Sequence, residues 1–271
     1  MAEASNAFTA SIAEVYDRHL GPTLFEPYAT DLARRIAHCP PGPVLETACG
    51  TGILTRQLRL SLLPSIRVVA TDASQAMLDY ARAHLHTQAA IHWERADAAA
   101  LPFPSGSFSV VACQFGMMFV QDKQAAFREA WRVLANGGVL AFNTWDSLAH
   151  NPCCRIAHET VNGFFPENPP DFFQVAFGFH DRHELLRSLL ACGFDDVRLD
   201  AVELEVRSPS AGLLAVGQIK GAPVSIAIRR RGVAVDQVVD ALAEALAHLG
   251  GDRPFRSTMQ ALVVTARKTD S

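Results

Sequence analysis

Short apolar runs alternate with amphipathic stretches along most of the chain after residue 40. The apolar runs predict five strands, at Pro43–Thr47, Ile66–Asp72, Ile91–Arg95, Phe108–Gln114 and Gly138–Thr144. Apolar residues at helical spacing predict helices between them, at Gly52–Leu62, Ser74–His86 and Lys123–Leu134, and the ANGG sequence that follows is typical of a helix C-cap. This alternation of strands and helices favours a mostly parallel sheet.

The segments that flank this region have other patterns. Two helical patterns, Ala7–Gly21 and Glu26–Cys39, precede it and are separated by the GPTLF sequence. After Trp145 an irregular stretch rich in Phe and Pro extends to residue 179. We then expect a helix at Asp181–Phe194, a strand at Val197–Val206, helices within 208–250 and a closing strand at Phe255–Lys268. The pattern predicts seven strands and leaves the direction of the last one open.

Composition excludes several classes of protein. The chain has 271 residues, of which 49% are hydrophobic and 19% charged, and a formal net charge of −4. There is no long basic block, so we do not expect nucleic-acid binding. The N-terminus lacks a basic region followed by an apolar run, and no stretch is apolar enough to span a membrane, so the sequence predicts a cytoplasmic protein. The six cysteines show no two-residue gap typical of zinc sites, and we predict no metal.

The sequence VLETACGTG, residues 44–52, predicts a strand that runs into a glycine-rich turn. Gly50 and Gly52 would let the backbone approach a nucleotide closely, since neither has a Cβ. A phosphate-binding loop would need Lys and then Ser or Thr after its second glycine, and this chain has neither. A dinucleotide fingerprint would need a third glycine where the chain has Thr55. A nucleoside without a pyrophosphate is the ligand that remains.

Three acidic residues follow or end neighbouring predicted strands. Asp72 ends the second strand, where a carboxylate can accept hydrogen bonds from both ribose hydroxyls. Asp97 lies just after the third strand, within reach of an adenine amino group, and Glu46 lies at the tip of the first. Together they would make the cleft electronegative, and a cationic sulfonium suits that field better than a phosphate does.

Four sequences in this order, VLETACGTG, VVATDASQAML, ADAAALPFPSGSFSVV and FREAWRVLANGGVLAFNTW, resemble the successive motifs of class I S-adenosylmethionine-dependent methyltransferases. The resemblance covers about residues 40 to 146 and is strongest to the small-molecule group that includes the ubiquinone/menaquinone-biosynthesis enzymes. It implies an α/β fold: a Rossmann-like, seven-stranded, mostly parallel sheet with helices on both faces, a helical cap and an antiparallel last strand. The whole chain would be one domain, with a core at about 40–148, 181–206 and 255–268 and a cap at about 1–36, 149–180 and 207–252.

The resemblance also implies S-adenosyl-L-methionine as the cofactor and assigns residues to it. The methionine moiety would lie against the loop, the ribose on the acid that ends the second strand, and the adenine beside the residues that follow the second and third strands. The implied cofactor-binding residues are Tyr16, Glu46, Ala48, Gly50, Gly52, Asp72, Ala73, Met77, Asp97, Ala98 and Gln114. Two positions depart from the family, which usually has Gly at Ala48 and commonly Asp at Ser109. An alanine tolerates such a turn only at negative φ, so we expect a modest adjustment of the loop.

The acceptor of the methyl group is predicted from the aromatic segment after the fifth strand. Six phenylalanines fall within FFPENPPDFFQVAFGF, residues 164–179. Aromatic faces at the mouth of the cleft would favour a planar or apolar acceptor, although they could equally form the core of a lid. The predicted acceptor residues are Phe119, Phe164, Phe165, Phe172, Phe173 and Phe177. His180 is the histidine that we would test first as a general base, and the run 229–231 indicates a solvated basic face more than a clamp for an acidic substrate.

The function predicted from these observations is methyl transfer from S-adenosylmethionine to a small, aromatic or apolar metabolite by in-line displacement. One alternative is a methyltransferase-like fold in which the cofactor is structural and the protein catalyses a cyclisation or rearrangement. Another is a scaffold that binds the cofactor without catalysis. The predicted partner is a small-molecule substrate, and the sequence leaves a homodimer open.

Overall fold

A computed structural model describes residues 9–85 and 91–269. Its centre is one seven-stranded sheet, formed in chain order by β1 (Val44–Glu46), β2 (Val68–Asp72), β3 (Ile91–Arg95), β4 (Phe108–Gln114), β5 (Leu134–Trp145), β6 (Phe194–Ser208) and β7 (Phe255–Lys268). The strands lie side by side in the order β3-β2-β1-β4-β5-β7-β6. The predicted α/β class and the number of strands are therefore confirmed.

Strands β1 to β5 are parallel to one another, and β7 is antiparallel to both β5 and β6. This settles the direction that the hydrophobic pattern left open. The strand order reverses between β1 and β4, and the crevice outside the carboxyl ends of the strands at such a point is where ligands bind in open α/β sheets.

The α-helices of the described residues are α1 (Ala10–Val15), α2 (Glu26–Ala37), α3 (Ile53–Ser61), α4 (Gln75–His84), α5 (Lys123–Val133), α6 (Pro152–Phe164), α7 (Phe172–Ala176), α8 (Arg182–Leu190), α9 (Ala211–Lys220), α10 (Val224–Arg230) and α11 (Val235–Gly250). Crossovers between parallel strands are right-handed, so α3 and α4 lie on one face of the sheet and α5 on the other. Residue 86, the last of one predicted helix, lies outside the described residues, as do the first residues of the predicted N-terminal helix and of the cap.

The N-terminal region departs from the prediction. The GPTLF sequence does not separate two helices, because residues Tyr16–Phe25 form a π-helical segment that joins α1 to α2. The amide of Glu26 donates to the carbonyl of Gly21, the five-residue spacing of a π-helix, and Pro22 lies inside the segment. Leu20, Leu24 and Phe25 are buried, so packing stabilises a helical path that local propensity disfavours.

The ANGG sequence is also placed differently. Helix α5 ends at Val133, and strand β5 begins at Leu134 with no cap segment between them. Gly137 has a φ of 76°, so the ANGG residues form the irregular start of the strand and not a helix cap. The helix still ends within one residue of the predicted position.

One connected hydrophobic cluster runs through the sheet and the segments around it. It includes residues of β1, β4, β5 and β7 and of helices α2, α6, α9 and α11. Within the described ranges, no single helix is long and apolar enough to cross a membrane. The pair α9 and α10, bent by 74° at the break between them, meets that test of length and composition together.

Candidate functional site

A cavity of about 1280 Å³ lies over the carboxyl ends of the parallel strands. Its floor contains residues 48–51 after β1, 72–74 at the end of β2, 95–98 at the end of β3, and 114–116 and 119–121 at the end of β4. Its other walls come from the π-helical segment, from residues 170–173 and 175–177, and from the region of α9 and α10. Since a site for one small ligand measures roughly 300–1,000 Å³, this cavity is large enough for two molecules.

The two glycines of the turn have different roles. A Cβ on Gly50 would meet no atom within 4 Å, and Gly50 lines the cavity, so this position leaves space for a ligand. A Cβ on Gly52 would lie 2.7 Å from Leu85 Cδ1 and 3.3 Å from Ala81 Cβ. Gly52 is not a lining residue, and it permits close packing of the start of α3 against α4 instead of close approach by a ligand.

The expectation of negative φ at Ala48 is wrong. Ala48 has a φ of 52°, in the left-handed region that disfavours residues with a Cβ. Its Cβ faces Gly116, where a further Cβ would lie only 2.4 Å away. The loop therefore keeps its left-handed conformation with an alanine, and the space that this requires comes from Gly116.

Asp72 joins the loops that follow β1 and β2. The backbone amide of Gly50 donates to its Oδ2 at 2.8 Å, and that of Ser74 donates to its Oδ1 at 2.8 Å. Each carboxylate oxygen keeps a second lone pair, and Asp72 lines the cavity. Burial raises the pKa of this carboxyl above its ordinary value, although the amides of Ser74 and Gly50 act in the opposite direction.

Glu46 lies beneath the loop and not on the cavity surface. It is 1% exposed and does not line the cavity, and the hydroxyl of Thr55 donates to its Oε2 at 2.6 Å. Burial raises its pKa to about 8 despite that hydrogen bond, and the charge of Asp72 adds to the increase. Glu46 is therefore mostly neutral near pH 7, and the predicted electronegative field has one charge fewer than the sequence indicated.

The other predicted cofactor-binding residues line the cavity: Tyr16, Ala73, Met77, Asp97, Ala98 and Gln114. The Oδ1 of Asp97 accepts the amide of Ala99 at 2.9 Å. Gln114 Nε2 donates to the carbonyl of Phe25 at 2.8 Å, which ties the end of β4 to the π-helical segment. Burial, with the charges of Asp17 and Asp72, raises the pKa of Tyr16, so its phenol stays protonated.

The six phenylalanines predicted to contact the acceptor fall into two groups, those that line the cavity and those that do not. Phe119, Phe172, Phe173 and Phe177 line the cavity, and the ring centroids of Phe119 and Phe172 are 6.1 Å apart. Phe164 and Phe165 do not line it. His180 is absent from the lining too, and its Nδ1 lies 2.7 Å from the carbonyl of Phe177. The neighbouring Asp181 caps helix α8 through the amides of His183 and Glu184.

Several residues that line the cavity were not predicted from the sequence: Phe25, Phe115, Trp145, Cys154, Gln218 and Met259. The rings of Phe115 and Trp145 stack with centroids 3.7 Å apart, and Phe115 has a φ of 50°. Both residues lie at the carboxyl ends of strands, which could have identified them. Gln218 is 4% exposed, and its Oε1 has no hydrogen-bond partner among the described residues. Its signal was a polar residue inside the apolar run 211–219.

Comparison with known proteins agrees with this geometry. A methyltransferase-domain family matches residues 45–142. A ubiquinone/menaquinone biosynthesis C-methyltransferase of Ectopseudomonas mendocina is 31% identical over 172 residues, which cover 58% of this chain and 67% of that protein. The chain belongs to the S-adenosylmethionine-dependent methyltransferases.

Other relatives match over a shorter region. A malonyl-[acyl-carrier protein] O-methyltransferase of Hahella chejuensis is 39% identical over 104 residues, which are 38% of this chain and 37% of that protein. The match thus spans well under half of that relative's length. The solved structure of the YcgJ protein from Bacillus subtilis has a TM-score of 0.58 and 17% identity and covers 90% of this methyltransferase and all of that chain, which shows the shared fold.

The residues at the β1 to β3 end of the cavity fit the family's cofactor, S-adenosylmethionine. Gly50 leaves open space above the loop, Asp72 has free acceptor capacity, and the buried hydroxyl of Thr51, which lines the cavity, has no hydrogen-bond partner among the described residues. A ligand that supplies polar groups there would satisfy this hydroxyl. No group of three or more His, Cys, Asp or Glu residues within 9–85 and 91–269 could hold a metal ion.

Proposed function

We propose that this methyltransferase transfers the methyl group of S-adenosylmethionine to a small apolar or aromatic metabolite. The observation that carries the proposal is one large cavity, which is larger than one ligand needs and whose two ends differ in chemistry. Glycine, threonine and aspartate residues surround one end, over β1, β2 and β3. Aromatic side chains surround the other, over β4 and β5.

In this proposal each end of the cavity binds one reactant. Asp72 accepts the ribose hydroxyls, Asp97 the amino group of the adenine, and Met77 packs against its ring. The loop 48–51 holds the methionine moiety, and Tyr16 and Gln114 close the cavity near the reactive methyl group. Phe119, Phe172, Phe173 and Phe177 contact the acceptor, with the stacked rings of Phe115 and Trp145 beside them.

The cofactor supplies a methyl group on a positively charged sulfur, so the leaving group is already activated. The task of the chain is to align the acceptor and to exclude water. Holding two reactants in line can lower a barrier by roughly 7–11 kcal/mol, which makes positioning by the cavity walls the main contribution. Asp72 and Asp97 also favour a cationic ligand at their end.

No histidine lines the cavity in the described part of the chain, and its lining carboxylates are Asp72, Asp97 and Asp171. The position of His180 gives no support to its predicted role as a base, because its Nδ1 is directed to a backbone carbonyl. An acceptor that is already ionised, or whose nucleophilic atom carries no proton, fits such a cavity best, since it needs no strong base.

The segments 1–36, 149–180 and 207–252 act in this proposal as a cap that closes over the reactants. Each contributes residues to the cavity wall, among them Tyr16, Phe173 and Gln218. Limited proteolysis should cut within 149–180 in the free protein and be slowed by S-adenosylhomocysteine plus acceptor. Equal cleavage with and without ligands would count against a mobile cap. The cytoplasm stays the predicted location, and cell fractionation would test it.

The test is a metabolite screen with an isotope-labelled methyl donor and mass spectrometry of the products. A product that gains one labelled methyl group supports the proposal. An isomer of the substrate would show that the cofactor is structural, and no turnover together with tight cofactor binding would indicate a scaffold. Asp72→Asn serves as the control, because labelling that depends on the cofactor site must fall in this variant.

A further inference from the structure

The three arginines of the basic run 229–231 differ in their position relative to the cavity. Arg229, Arg230 and Arg231 are all exposed at the end of α10, where positive charge interacts favourably with the helix dipole. Arg230 and Arg231 line the large cavity, whereas Arg229 does not. The dipole accounts for all three residues equally, so it does not explain why two of them face the cavity.

Arg231 is held in place by its surroundings. Its Nε donates to the carbonyl of Asn168 at 3.1 Å, and its Nη1 donates to that of Ala227 at 3.2 Å. The guanidinium lies 5.8 Å from the centroid of the Phe165 ring. An arginine ordered in this way has less conformational entropy to lose on binding, and its Nη2 keeps both donors. Phe165 thus packs against Arg231, which lines the cavity, and does not line the cavity itself.

Arg230 has no hydrogen-bond or ion-pair partner within the described ranges, although Asp171 is part of the same lining. An unpaired arginine at the rim of an apolar cavity offers five donors in a fixed planar arrangement. Carboxylate and phosphate groups match this arrangement with paired, charge-assisted hydrogen bonds.

The charged residues of the lining are distributed unevenly. Asp72, Asp97 and Arg95 follow or end β2 and β3, and Arg95 Nε donates to the carbonyl of Ala73 at 3.0 Å. The acceptor end has Arg230 and Arg231 against the single Asp171. One end therefore favours a cation, and the other favours an anion.

We propose that the acceptor carries an anionic group, a carboxylate or a phosphate, which Arg230 and Arg231 bind at the rim while its apolar body lies along Phe172 and Phe173. This inference rests on the proposed function, because it assumes that the aromatic end holds the acceptor. It predicts that the cavity selects amphiphilic anions over neutral molecules of the same shape.

The experiment uses two fluorescent probes with the same aromatic body. Anilinonaphthalene sulfonate carries an anion and phenylnaphthylamine does not, and both are titrated into the full chain saturated with S-adenosylhomocysteine. We expect Arg230→Gln and Arg231→Gln each to weaken binding of the sulfonate probe about fivefold to tenfold, since hydrogen bonds to charged groups are among the stronger ones. The neutral probe should bind all variants within about twofold, and Asp171→Asn should tighten the sulfonate probe.

Arg229→Gln is the matched control, because it removes the same charge from the same helix outside the cavity. An equal loss of affinity for the sulfonate probe in Arg229→Gln and Arg230→Gln, or no loss of affinity in either, would overturn the inference. Competition by naphthoate and by naphthyl phosphate separates the two anions, and the inference fails if neither competes better than neutral naphthol. Calorimetry of S-adenosylhomocysteine on the same samples tests the proposed function separately. Absence of cofactor binding would overturn the proposed function, whereas normal cofactor binding together with equal probe affinities in wild type and Arg230→Gln would overturn only this inference.

Discussion

Replacing Glu46 with Gln should make the protein more stable at neutral pH. Glu46 is 1% exposed and hydrogen-bonded to the hydroxyl of Thr55 at 2.6 Å. Burial raises its pKa from 4.5 to about 8 in the folded protein. Because the folded state then binds this proton more tightly than the unfolded state, the contribution of Glu46 to stability is constant below its unfolded pKa and is lost as the pH rises toward 8.

The size of this effect follows from the interval between the two pKa values. Each pKa unit corresponds to about 1.4 kcal/mol, so wild-type protein should lose about 3 kcal/mol of unfolding free energy between about pH 4.5 and pH 7 from this group alone. The loss should reach about 5 kcal/mol above pH 8. Glutamine has no charge to desolvate, and its amide oxygen can still accept the hydrogen bond from Thr55.

Urea denaturation followed by circular dichroism across this pH range would measure the effect. The stability of Glu46→Gln should be nearly equal to that of wild type near about pH 5 and exceed it increasingly toward about pH 8. Glu244→Gln, an exposed glutamate on α11, is the control and should follow the wild-type curve. Parallel curves for wild type and Glu46→Gln across the whole range would refute the reasoning, because they would mean that Glu46 is ionised in the folded state.

Three further predictions concern the loop and the acceptor end. Asp72→Asn should weaken binding of S-adenosylhomocysteine about tenfold to a hundredfold in calorimetry by removing charged hydrogen bonds, and unchanged affinity would contradict the assignment of Asp72 to the ribose. Ala48→Gly should raise stability by up to about 1 kcal/mol, since relief of the left-handed conformation at φ 52° exceeds the entropy cost of glycine, and a fall in melting temperature would contradict this. Phe173→Ala should cost about 3 kcal/mol of stability, because Phe173 is 3% exposed, and should weaken acceptor binding while leaving S-adenosylhomocysteine affinity within about 0.5 kcal/mol. Equal losses of cofactor and acceptor affinity would argue against separate ends of the cavity.

The hydrophobic pattern determined the sheet and the position of its ligand edge. Strands β3, β4 and β7 have the predicted bounds, and the other four differ from prediction by a few residues at their ends. Strand patterns are local, since alternate side chains must meet the same layer of the core, so they can be read from the sequence. Asp72 and Asp97 line the cavity for the same reason, because the carboxyl ends of parallel strands converge at one edge.

The sequence could not decide what surrounds the residues that it identified. Glu46 is two positions before the loop 48–51 and lies beneath it, and Phe164 and Phe165 belong to the aromatic segment without lining the cavity. Gln218 reaches the cavity from helix α9, which follows β6 and is far from the fifth strand along the chain. Burial depends on which distant segments pack together, and no local period contains that information.

Tertiary contacts also determine the backbone conformation of the loop and the placement of charged side chains. The left-handed φ of Ala48 is compatible with its neighbour only because Gly116, on another strand end, has no side chain. Arg229 and Arg230 are adjacent and chemically identical, yet only the second lines the cavity, because successive residues of a helix lie about a hundred degrees apart. The sequence by itself determined the strands, the edge at which ligands bind and the acids at that edge, since these follow from local periodicity. The tertiary structure decided which side chains are buried, charged and directed at the cavity, since these depend on contacts between residues far apart in the chain.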